Sequence, residues 1–345
     1  MNKKKSLSVK RILARILLVI CTTLCILLIA LYGIMWILIN GPSKRAKELF
    51  VISARETSGI KWCPNIYLSE NEIQQIINSN KVVYSDEDTD TSLININAGG
   101  NNSNTDNESA EDDTEDSDIE IKDVTGPTYR GKMMIIKDPS RVFVGVKGDF
   151  DGSVGKRVDQ IVERYGAVAG VNGGEFADEG GMSHGEYPVG LVISEGKLLY
   201  GSENTVYPLV VGIDKNNILR LDAMSGKQAL EEGIRDCVCF GAGPIFVKNG
   251  EPSEVLGSSS GLSPRTAIGQ RADGAILLLV IDGRQASSLG ASYEDVINIM
   301  VQYEAVNAAN LDGGTSSNMV YKGEVITNCS SLYGTRQLPT AVLVR

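Results

Sequence analysis

The chain has 345 residues and a formal net charge of −10 at pH 7, and 42% of its residues are hydrophobic. This length accommodates one large globular domain or two ordinary ones. Every charged residue within positions 1–47 is basic, and no basic surface is expected beyond them, which argues against nucleic acid as a partner. A single histidine and six cysteines without metal-site spacing argue against a zinc enzyme and a disulfide framework.

Residues 16–39 form the first predicted element, an apolar segment of 24 residues without a charge. At a rise of about 1.5 Å per residue, such a helix crosses a hydrocarbon core of about 30 Å. A cleaved signal peptide is the alternative, but its apolar region runs only about 7–15 residues. Six basic residues precede the segment and three follow it, so residues 1–15 are expected in the cytoplasm and the rest of the chain outside it.

Residues 40–84 are predicted to form a membrane-proximal helical segment. One helix is indicated by SKRAKELFVISAR, in which apolar residues recur at helical spacing. A second helix is predicted after Ser69, because an N-cap serine followed three residues later by Glu72 is the pattern of a capping box. The sequence leaves open whether these helices form a stalk or pack on the following domain.

Residues 85–123 differ in composition, with fourteen acidic residues and one lysine. Asp, Glu, Asn and Ser dominate, so the segment has too little apolar surface to offset the chain entropy lost on folding. We therefore predict an acidic disordered linker. A calcium-binding loop is the alternative, but the EF-hand spacing and its flanking helices are missing.

Residues 124–345 are predicted to form the main domain. Strand patterns dominate, and hairpin turns are indicated at Glu195-Gly196 and Lys322-Gly323. Two amphipathic helices are predicted in VGKRVDQIVERYGA and SYEDVINIMVQYEA. The pattern predicts an α+β fold of mixed, mostly antiparallel sheets with a few helices, preceded by one transmembrane helix.

Four clusters of polar residues and glycines fall where predicted strands end. They are VNGGEFAD at 171–178, GAGPIFVKNG at 241–250, SPRTAIG at 263–269 with VIDGR at 280–284, and NAANLDGGTSSNMVYKGEVI at 307–326. Loops at strand ends commonly carry binding and catalytic groups, whereas glycines there also serve ordinary turns. The sequence lacks a nucleophile elbow, a P-loop and a dinucleotide fingerprint, which leaves carboxylates, arginines and backbone amides.

These clusters contain acids, bases and anion ligands. A carboxylate that follows a buried strand is expected to be paired or functional, and the available acids are Glu175, Asp178, Asp282 and Asp312. A guanidinium binds two phosphate oxygens at once, and glycine-rich turns can point successive N–H groups at an anion. The corresponding candidates are Arg265, Arg284, Gly173-Gly174 and Gly313-Gly314.

Five stretches in a fixed order resemble the phosphodiester glycosidase family over roughly residues 125–345: AVAGVNGGEF, PVGLVISEGKLL, GAGPIFVKNG, PRTAIGQRADGAILLLVIDGR and AANLDGGTSSNMVYKGEVI. The resemblance implies hydrolysis of a sugar-1-phosphodiester, which releases the sugar from a phosphate monoester. Bacterial relatives are often described as exopolysaccharide-biosynthesis-related proteins, which implies a cell-envelope or exopolysaccharide glycan as substrate.

The residues and the resemblance together predict the site. The predicted catalytic carboxylates are Asp312, Asp282 and Glu175. The predicted ligands of the sugar and phosphate are Arg265, Arg284, Asn172, Gly173, Thr266, Gly313, Gly314 and Ser316. A divalent cation such as Ca²⁺ is compatible with these oxygen-rich motifs, although they do not require one.

The sequence thus predicts a single-pass, membrane-anchored hydrolase whose catalytic domain lies outside the cytoplasm. A non-catalytic glycan-binding or assembly module at the cell surface is the alternative. A glycan-binding module is expected to carry aromatic platforms, but aromatic residues make up 6% of the chain and are sparse in the motifs.

Overall fold

A computed structural model describes residues 9–57, 59–96, 118–178, 183–241, 243–331 and 334–345. The helices within these ranges are α1 (Val9–Asn40), α2 (Lys44–Arg55), α3 (Glu70–Ser79), α4 (Val158–Tyr165), α5 (Gly226–Glu231) and α6 (Tyr293–Gln302). Short 3₁₀ turns lie at Cys63–Ile66, Thr91–Leu93, Pro139–Arg141 and Gly314–Ser316.

The strands in the same ranges are short and follow one another closely along the chain. They are β1 (Lys81–Val83), β2 (Ile119–Thr125), β3 (Arg130–Ile136), β4 (Val142–Val146), β5 (Ala169–Asn172), β6 (Val192–Ser194), β7 (Lys197–Tyr200), β8 (Val206–Asp214), β9 (Leu219–Ser225), β10 (Ile234–Cys239), β11 (Ile245–Lys248), β12 (Glu251–Pro252), β13 (Glu254–Leu256), β14 (Arg265–Arg271), β15 (Ile276–Ile281), β16 (Ala305–Asn310), β17 (Met319–Tyr321), β18 (Glu324–Val325) and β19 (Thr340–Val344).

Three sheets build the main domain, with strand orders β12-β11-β16-β14-β15-β3-β2, β7-β6-β10-β8-β9 and β18-β17-β5-β19-β4. A fourth sheet pairs β1 with β13 and so joins the membrane-proximal segment to the domain. All strand pairings among the described residues are antiparallel. The predicted α+β fold of mostly antiparallel sheets is therefore confirmed.

The central strands of the seven-stranded sheet are buried on both faces, which explains the unbroken apolar run of β15. Side chains alternate across a strand, so Leu278 and Val280 pack into the core shared with the other sheets. Leu277, Leu279 and Ile281 point the other way and pack against α6. This double burial fixes the strand ends, from which the polar loops project.

The apolar helix α1 begins and ends outside the predicted span of residues 16–39. It has 32 residues, and its most apolar window has a mean hydropathy of 2.8 with 0% of that window buried. By length and composition this helix can cross a membrane.

The membrane-proximal helices pack on the domain rather than forming a free stalk. Ser69 and Glu72 form the predicted capping box at the start of α3. A small apolar cluster around Val51 and Ile73 holds α2 and α3 together. The Ser53 Oγ of α2 accepts a hydrogen bond of 2.8 Å from the Leu262 amide, so α2 is attached to the loop before β14.

The predicted disordered linker at residues 85–123 is wrong at both of its ends. Asp222 is buried beside Lys248, with 3.0 Å between Nζ and Oδ1, and the Thr89 amide and hydroxyl both donate to the same carboxylate oxygen. At the other end, residues from Ile119 onward form β2 on the edge of the large sheet. The composition of the segment did not indicate these contacts, because a few anchored residues hardly change the average composition of an acidic segment. Residues 97–117 lie outside the described residues.

We expect Thr89→Val to lower the free energy of unfolding by about 1–3 kcal/mol, because it leaves buried partners unpaired. The lost contacts are those of the Thr89 hydroxyl with Asp222, the Leu221 amide and Lys248. Chemical denaturation of the purified protein measures the change. Thr205→Val, at an exposed position, is the control, and an equal effect of both changes would contradict the anchoring role of Thr89.

Candidate active site

A polar cavity of about 270 Å³ opens where several strand ends meet. Strands β14 and β16 run antiparallel, so the start of one and the end of the other lie at the same edge of the large sheet. The end of β5 reaches this place from a second sheet, since the Asp312 amide donates to the Gly173 carbonyl at 3.2 Å. The cavity is lined by Glu56, Asp178, Phe240, Ser263, Arg265, Arg284, Tyr293, Asn310, Asp312, Gly313, Gly314, Thr315 and Arg336.

Asp312 is the carboxylate that this arrangement perturbs most. Burial raises its pKa from the ordinary 3.8 to about 7. The Ser316 hydroxyl and the Arg336 guanidinium act in the opposite direction, whereas Glu175 and Asp178 raise the pKa further. Part of the residue reaches the cavity, but its Oδ2 atom is buried. The side chain can therefore hold a proton near neutral pH, as a general acid must.

Several buried polar atoms around Asp312 have no hydrogen-bond partner among the described residues. Ser316 Oγ lies close enough to favour the charged form of Asp312, but at an angle or distance that completes no hydrogen bond. Native proteins pair most buried polar groups, so a group of unpaired ones points to a bound ligand or water. The unpaired atoms are Arg284 Nε, Asn310 Oδ1, Asp312 Oδ2, Ser316 Oγ, Ser317 Oγ, Asn318 Oδ1 and Thr340 Oγ1.

Asn172 and Thr266 lie behind the cavity and hold its loops together. Asn172 Nδ2 donates to the Asp312 carbonyl at 2.6 Å. Its Oδ1 accepts from the Thr266 hydroxyl at 2.8 Å and from the Asn318 amide at 3.2 Å. Neither residue lines the cavity. The structure therefore places both beside the predicted site, with contacts that position the Asp312 backbone.

Arg265 is buried at the start of β14, where it forms an ion pair with the Glu56 carboxylate. Its Nη2 atom lies 2.8 Å from the Glu56 carboxylate and also donates to the Ser260 hydroxyl and the Gly261 carbonyl. Its guanidinium carbon lies 4.1 Å from the centre of the Tyr293 ring. An arginine buried in this way is fixed in direction, which suits it to hold an anion.

Arg284 reaches the cavity from a strained backbone position. Its φ of 57° lies in the left-handed region that non-glycine residues seldom adopt. Its Nη2 donates to the Glu56 carbonyl at 3.0 Å, and its guanidinium lies against Gly314. Burial lowers the pKa of Arg284 from its ordinary value, and Arg265 lowers it further. Strain of this kind is often found at functional sites.

Glu56 brings a carboxylate into the cavity from outside the main domain. Its Oε2 accepts from Arg265 and from the Ser263 hydroxyl at 2.9 Å, while Oε1 accepts from the Gly261 amide at 3.1 Å. With the bond from Arg284 to its carbonyl, Glu56 contacts both predicted phosphate-binding arginines. The sequence offered no signal for this residue, because it follows a helix whose pattern indicates only local packing.

One amide of each predicted glycine nest donates to a backbone carbonyl. The Gly173 amide donates to the Thr340 carbonyl, and the Gly314 amide donates to the Pro264 carbonyl. A Cβ atom on Gly173 would lie 2.4 Å from Thr340 Oγ1, so this glycine is required by close packing. Gly313 and Gly314 line the cavity, and Gly314 lies in a turn with a φ of 65°.

Asp282 does not lie at the cavity with Asp312. Its Oδ1 accepts from the Asn328 amide at 2.9 Å, and its Oδ2 accepts from the Asn328 side chain at 2.7 Å. It is buried and does not line the cavity. Both of its carboxylate oxygens fix the loop that carries Asn328, and its predicted catalytic role stays a prediction.

Glu175 lies near the cavity without lining it. Burial raises the pKa of Glu175 above its ordinary value, and a hydrogen bond with the Gly241 backbone partly offsets this rise. The carboxylate lies beside Gly241. Its charge acts on Asp312, as described above. The structure places Glu175 close enough for electrostatic coupling to Asp312.

Arg336 and Asp178 complete the cavity wall. Arg336 Nη2 lies 2.6 Å from Asp178 Oδ1, and the guanidinium carbon lies 4.7 Å from the centre of the Phe176 ring. The sequence indicated Asp178 only as an available acid and did not indicate Arg336. A basic residue within GTRQLPT, just before the last strand, was the available signal.

Among the described residues, no three His, Cys, Asp or Glu side chains are grouped to hold a metal ion. The predicted Ca²⁺ therefore stays a prediction without a named ligand set.

Comparisons with known proteins identify relatives of the chain. The chain is 27% identical over 219 residues to the mouse N-acetylglucosamine-1-phosphodiester alpha-N-acetylglucosaminidase, covering 57% of this chain and 41% of the relative. It is 33% identical over 105 residues to the SPbeta prophage-derived uncharacterized protein YomE of Bacillus subtilis, covering 29% of this chain and 16% of the relative. The chain thus spans less than half the length of these curated relatives.

The fold also matches a solved structure. The zebrafish N-acetylglucosamine-1-phosphodiester alpha-N-acetylglucosaminidase catalytic domain, described as auto-inhibited by its pro-peptide, aligns with a TM-score of 0.54 at 22% identity. The alignment covers 66% of this chain and 82% of the zebrafish chain. The sequence model of the phosphodiester glycosidase family matches residues 165–345, which is more than half of the chain. The chain therefore belongs to the phosphodiester glycosidase family.

Proposed function

We propose that the chain hydrolyses a sugar-1-phosphodiester and releases the free sugar and a phosphate monoester. The observation that carries this proposal is Asp312, whose pKa of about 7 lets it hold a proton inside a cavity that also contains arginines. The names of the mammalian relatives support the same substrate class.

The reaction breaks the bond between the sugar C1 and the phosphate oxygen. Asp312 donates its proton to that oxygen as it leaves, and water supplies the oxygen that becomes the sugar hydroxyl. Arg265, Arg284 and Arg336 stabilise the negative charge on the phosphate. Asp178, which lines the cavity, orients the water, and Glu175 acts on Asp312 through its charge.

We expect the pH dependence of activity to report the charges around Asp312. Activity requires its protonated form, so it falls as the pH rises through about 7. Glu175→Gln removes a negative charge that raises this pKa and shifts the fall to lower pH. Arg336→Gln removes a positive charge that lowers it and shifts the fall to higher pH. Profiles of kcat against pH for the two variants measure these opposite shifts, and equal shifts in one direction would contradict the assignment of Asp312.

The proposed location is the outer face of a membrane, with α1 as a single-pass anchor and residues 1–15 in the cytoplasm. Its support is the length and apolarity of α1 and the excess of basic residues before it. A substrate at that face would be a cell-envelope or exopolysaccharide glycan. Protease digestion of intact cells, followed by detection of each end of the chain, tests this topology. Digestion of the N-terminal end would contradict it.

We also propose that the membrane-proximal segment covers the site, in the way that the zebrafish relative is described as auto-inhibited by its pro-peptide. Glu56 carries a negative charge and contacts both Arg265 and Arg284. Its carboxylate thus lies where the arginines would otherwise receive a phosphate. Substrate must displace Glu56 before its phosphate can bind.

A further inference from the structure

The segment before α3 exposes three large apolar side chains. They are Ile60, Trp62 and Ile66, which are 45%, 59% and 41% exposed. Lys61, between the first two, is exposed as well. Large apolar residues grouped on one short segment mark an interaction surface, whereas single ones scattered over a protein are ordinary. Residues 59–67 form what we term the apolar loop.

The apolar loop lies beside the C-terminal part of α1. The Tyr67 hydroxyl donates to the Tyr32 carbonyl at 2.7 Å, and the centres of the two rings are 5.0 Å apart. At a rise of about 1.5 Å per residue, Tyr32 lies about 10 Å before the end of the apolar segment of residues 16–39. Ile39 is buried in the apolar cluster that holds α2 and α3 together. The loop is therefore attached to the last turns of the helix that can cross a membrane.

Polar contacts fix the shape of the apolar loop and leave its large side chains exposed. Arg55 forms an ion pair with Glu70, and its Nη2 also donates to Asn65 Oδ1 at 3.1 Å. Asn65 Nδ2 donates in turn to Glu70 Oε2 at 3.0 Å. The Trp62 Nε1 donates to the Gly59 carbonyl at 3.3 Å. Because the indole N–H is already paired, the exposed ring can enter an apolar medium without losing a hydrogen bond to water.

The interface of a lipid bilayer fits this combination of residues. Trp and Tyr are enriched where the hydrocarbon core meets the headgroups, since each has an apolar ring with one polar atom. Next to the loop, α1 itself exposes the rings of Tyr32 and Trp36. The positive charge of Lys61 complements the phosphates of lipid headgroups. The apolar surface of the loop thus continues the apolar surface of α1.

We propose that the apolar loop inserts into the outer interface of the bilayer that α1 crosses. The inference rests on the proposed role of α1 as an anchor. The partner is lipid and not another protein, because the exposed surface is continuous with the one that α1 presents to the bilayer. The Leu262 amide joins α2 to the main domain through Ser53, so this second attachment holds the domain in one orientation on the membrane.

The test uses fluorescence, because Trp36 and Trp62 are the two tryptophans of the chain. Trp36→Phe leaves Trp62 as the emitter in the full-length protein, reconstituted in vesicles of phosphatidylcholine and phosphatidylglycerol. We expect lipids brominated on the upper part of the acyl chains to lower its emission by about twofold, since an interfacial indole lies at that depth. Lipids brominated near the chain ends should quench it less, and iodide in the water should quench it weakly.

Further variants separate the loop from the anchor. Trp62→Phe keeps Trp36 and shows whether α1 itself lies in the bilayer. In a chain with both tryptophans replaced by phenylalanine, Val206→Trp places an indole at a 62% exposed position of the main domain. Iodide should quench that indole and brominated lipid should not. Ile66→Asp should weaken the lipid quenching of Trp62 and leave that of Trp36 unchanged.

Two results would overturn the proposal. One is lipid quenching of Trp36 alone, with Trp62 open to iodide, which would leave the loop in water or for a protein partner. The other is equal lipid quenching of the indoles at positions 62 and 206. If brominated lipid quenches neither Trp36 nor Trp62, the proposed anchor fails together with the inserted loop.

Discussion

Replacing Asp312 with asparagine is expected to lower kcat for a sugar-1-phosphodiester by about 10²–10⁴-fold, because the amide cannot donate the proton that the leaving oxygen needs. Initial rates of sugar release from N-acetylglucosamine-1-phosphomethyl measure the loss. Asp282→Asn is the matched control, since Asp282 pairs with Asn328 and does not line the cavity. Equal losses in both variants would contradict the assignment of Asp312.

The Asp312→Asn substitution should also change how the free energy of unfolding depends on pH. In the folded protein the pKa of Asp312 is raised from 3.8 to about 7, so the fold disfavours the charged form. Stability is therefore full below about pH 4, falls as the pH rises towards 7, and stays lower above it. The difference reaches at most roughly 4 kcal/mol, and water in the cavity reduces it. Asp312→Asn should lack this contribution, which thermal unfolding at pH 4 and pH 8 measures.

Glu56→Gln is expected to increase activity at low substrate concentration by about 10–100-fold. A hydrogen bond to a charged group contributes about 1.5–3 kcal/mol, and the glutamine keeps the shape of Glu56 without its charge. Weaker binding of the membrane-proximal segment then frees Arg265 and Arg284 for phosphate. Initial rates on the full-length protein measure the increase, and inorganic phosphate should inhibit the variant at lower concentrations than it inhibits the parent.

Arg45→Gln is the matched control for this prediction. Arg45 also joins α2 to the main domain, through a 3.0 Å ion pair with Glu294, but this pair lies at the surface and contributes little. The variant should behave like the parent protein in both assays. A loss of activity in Glu56→Gln would contradict the blocking role, because it would make Glu56 part of the catalytic machinery.

The architecture was predictable where a local pattern is decided by burial. The unbroken apolar run of β15 follows from burial on both faces of the large sheet. The helical spacing of apolar residues in α6 follows from its packing against one of these faces. The capping box at Ser69 and Glu72 was also predictable, because its contacts are local. The anchored part of the acidic segment was not predictable, since Thr89 depends on Asp222, which lies 133 positions away.

The site was only partly predictable for a related reason. Motifs at strand ends pointed to Arg265, Arg284 and Asp312, and these three residues line one cavity. The sequence could not show that Asn328 holds Asp282, or that α2 presents Glu56 to the arginines, because both depend on how distant segments pack. Asn172 matched a motif, but its contacts support a loop behind the cavity.

The most direct test of the account is hydrolysis in water enriched in oxygen-18, with the full-length protein and N-acetylglucosamine-1-phosphomethyl as substrate. Cleavage between the sugar C1 and the phosphate oxygen places the label in the released sugar and none in methyl phosphate. Mass spectrometry of both products reads the result. We predict label in the sugar alone. Label in methyl phosphate would mean attack at phosphorus and would contradict the glycosidase mechanism, as would the absence of product.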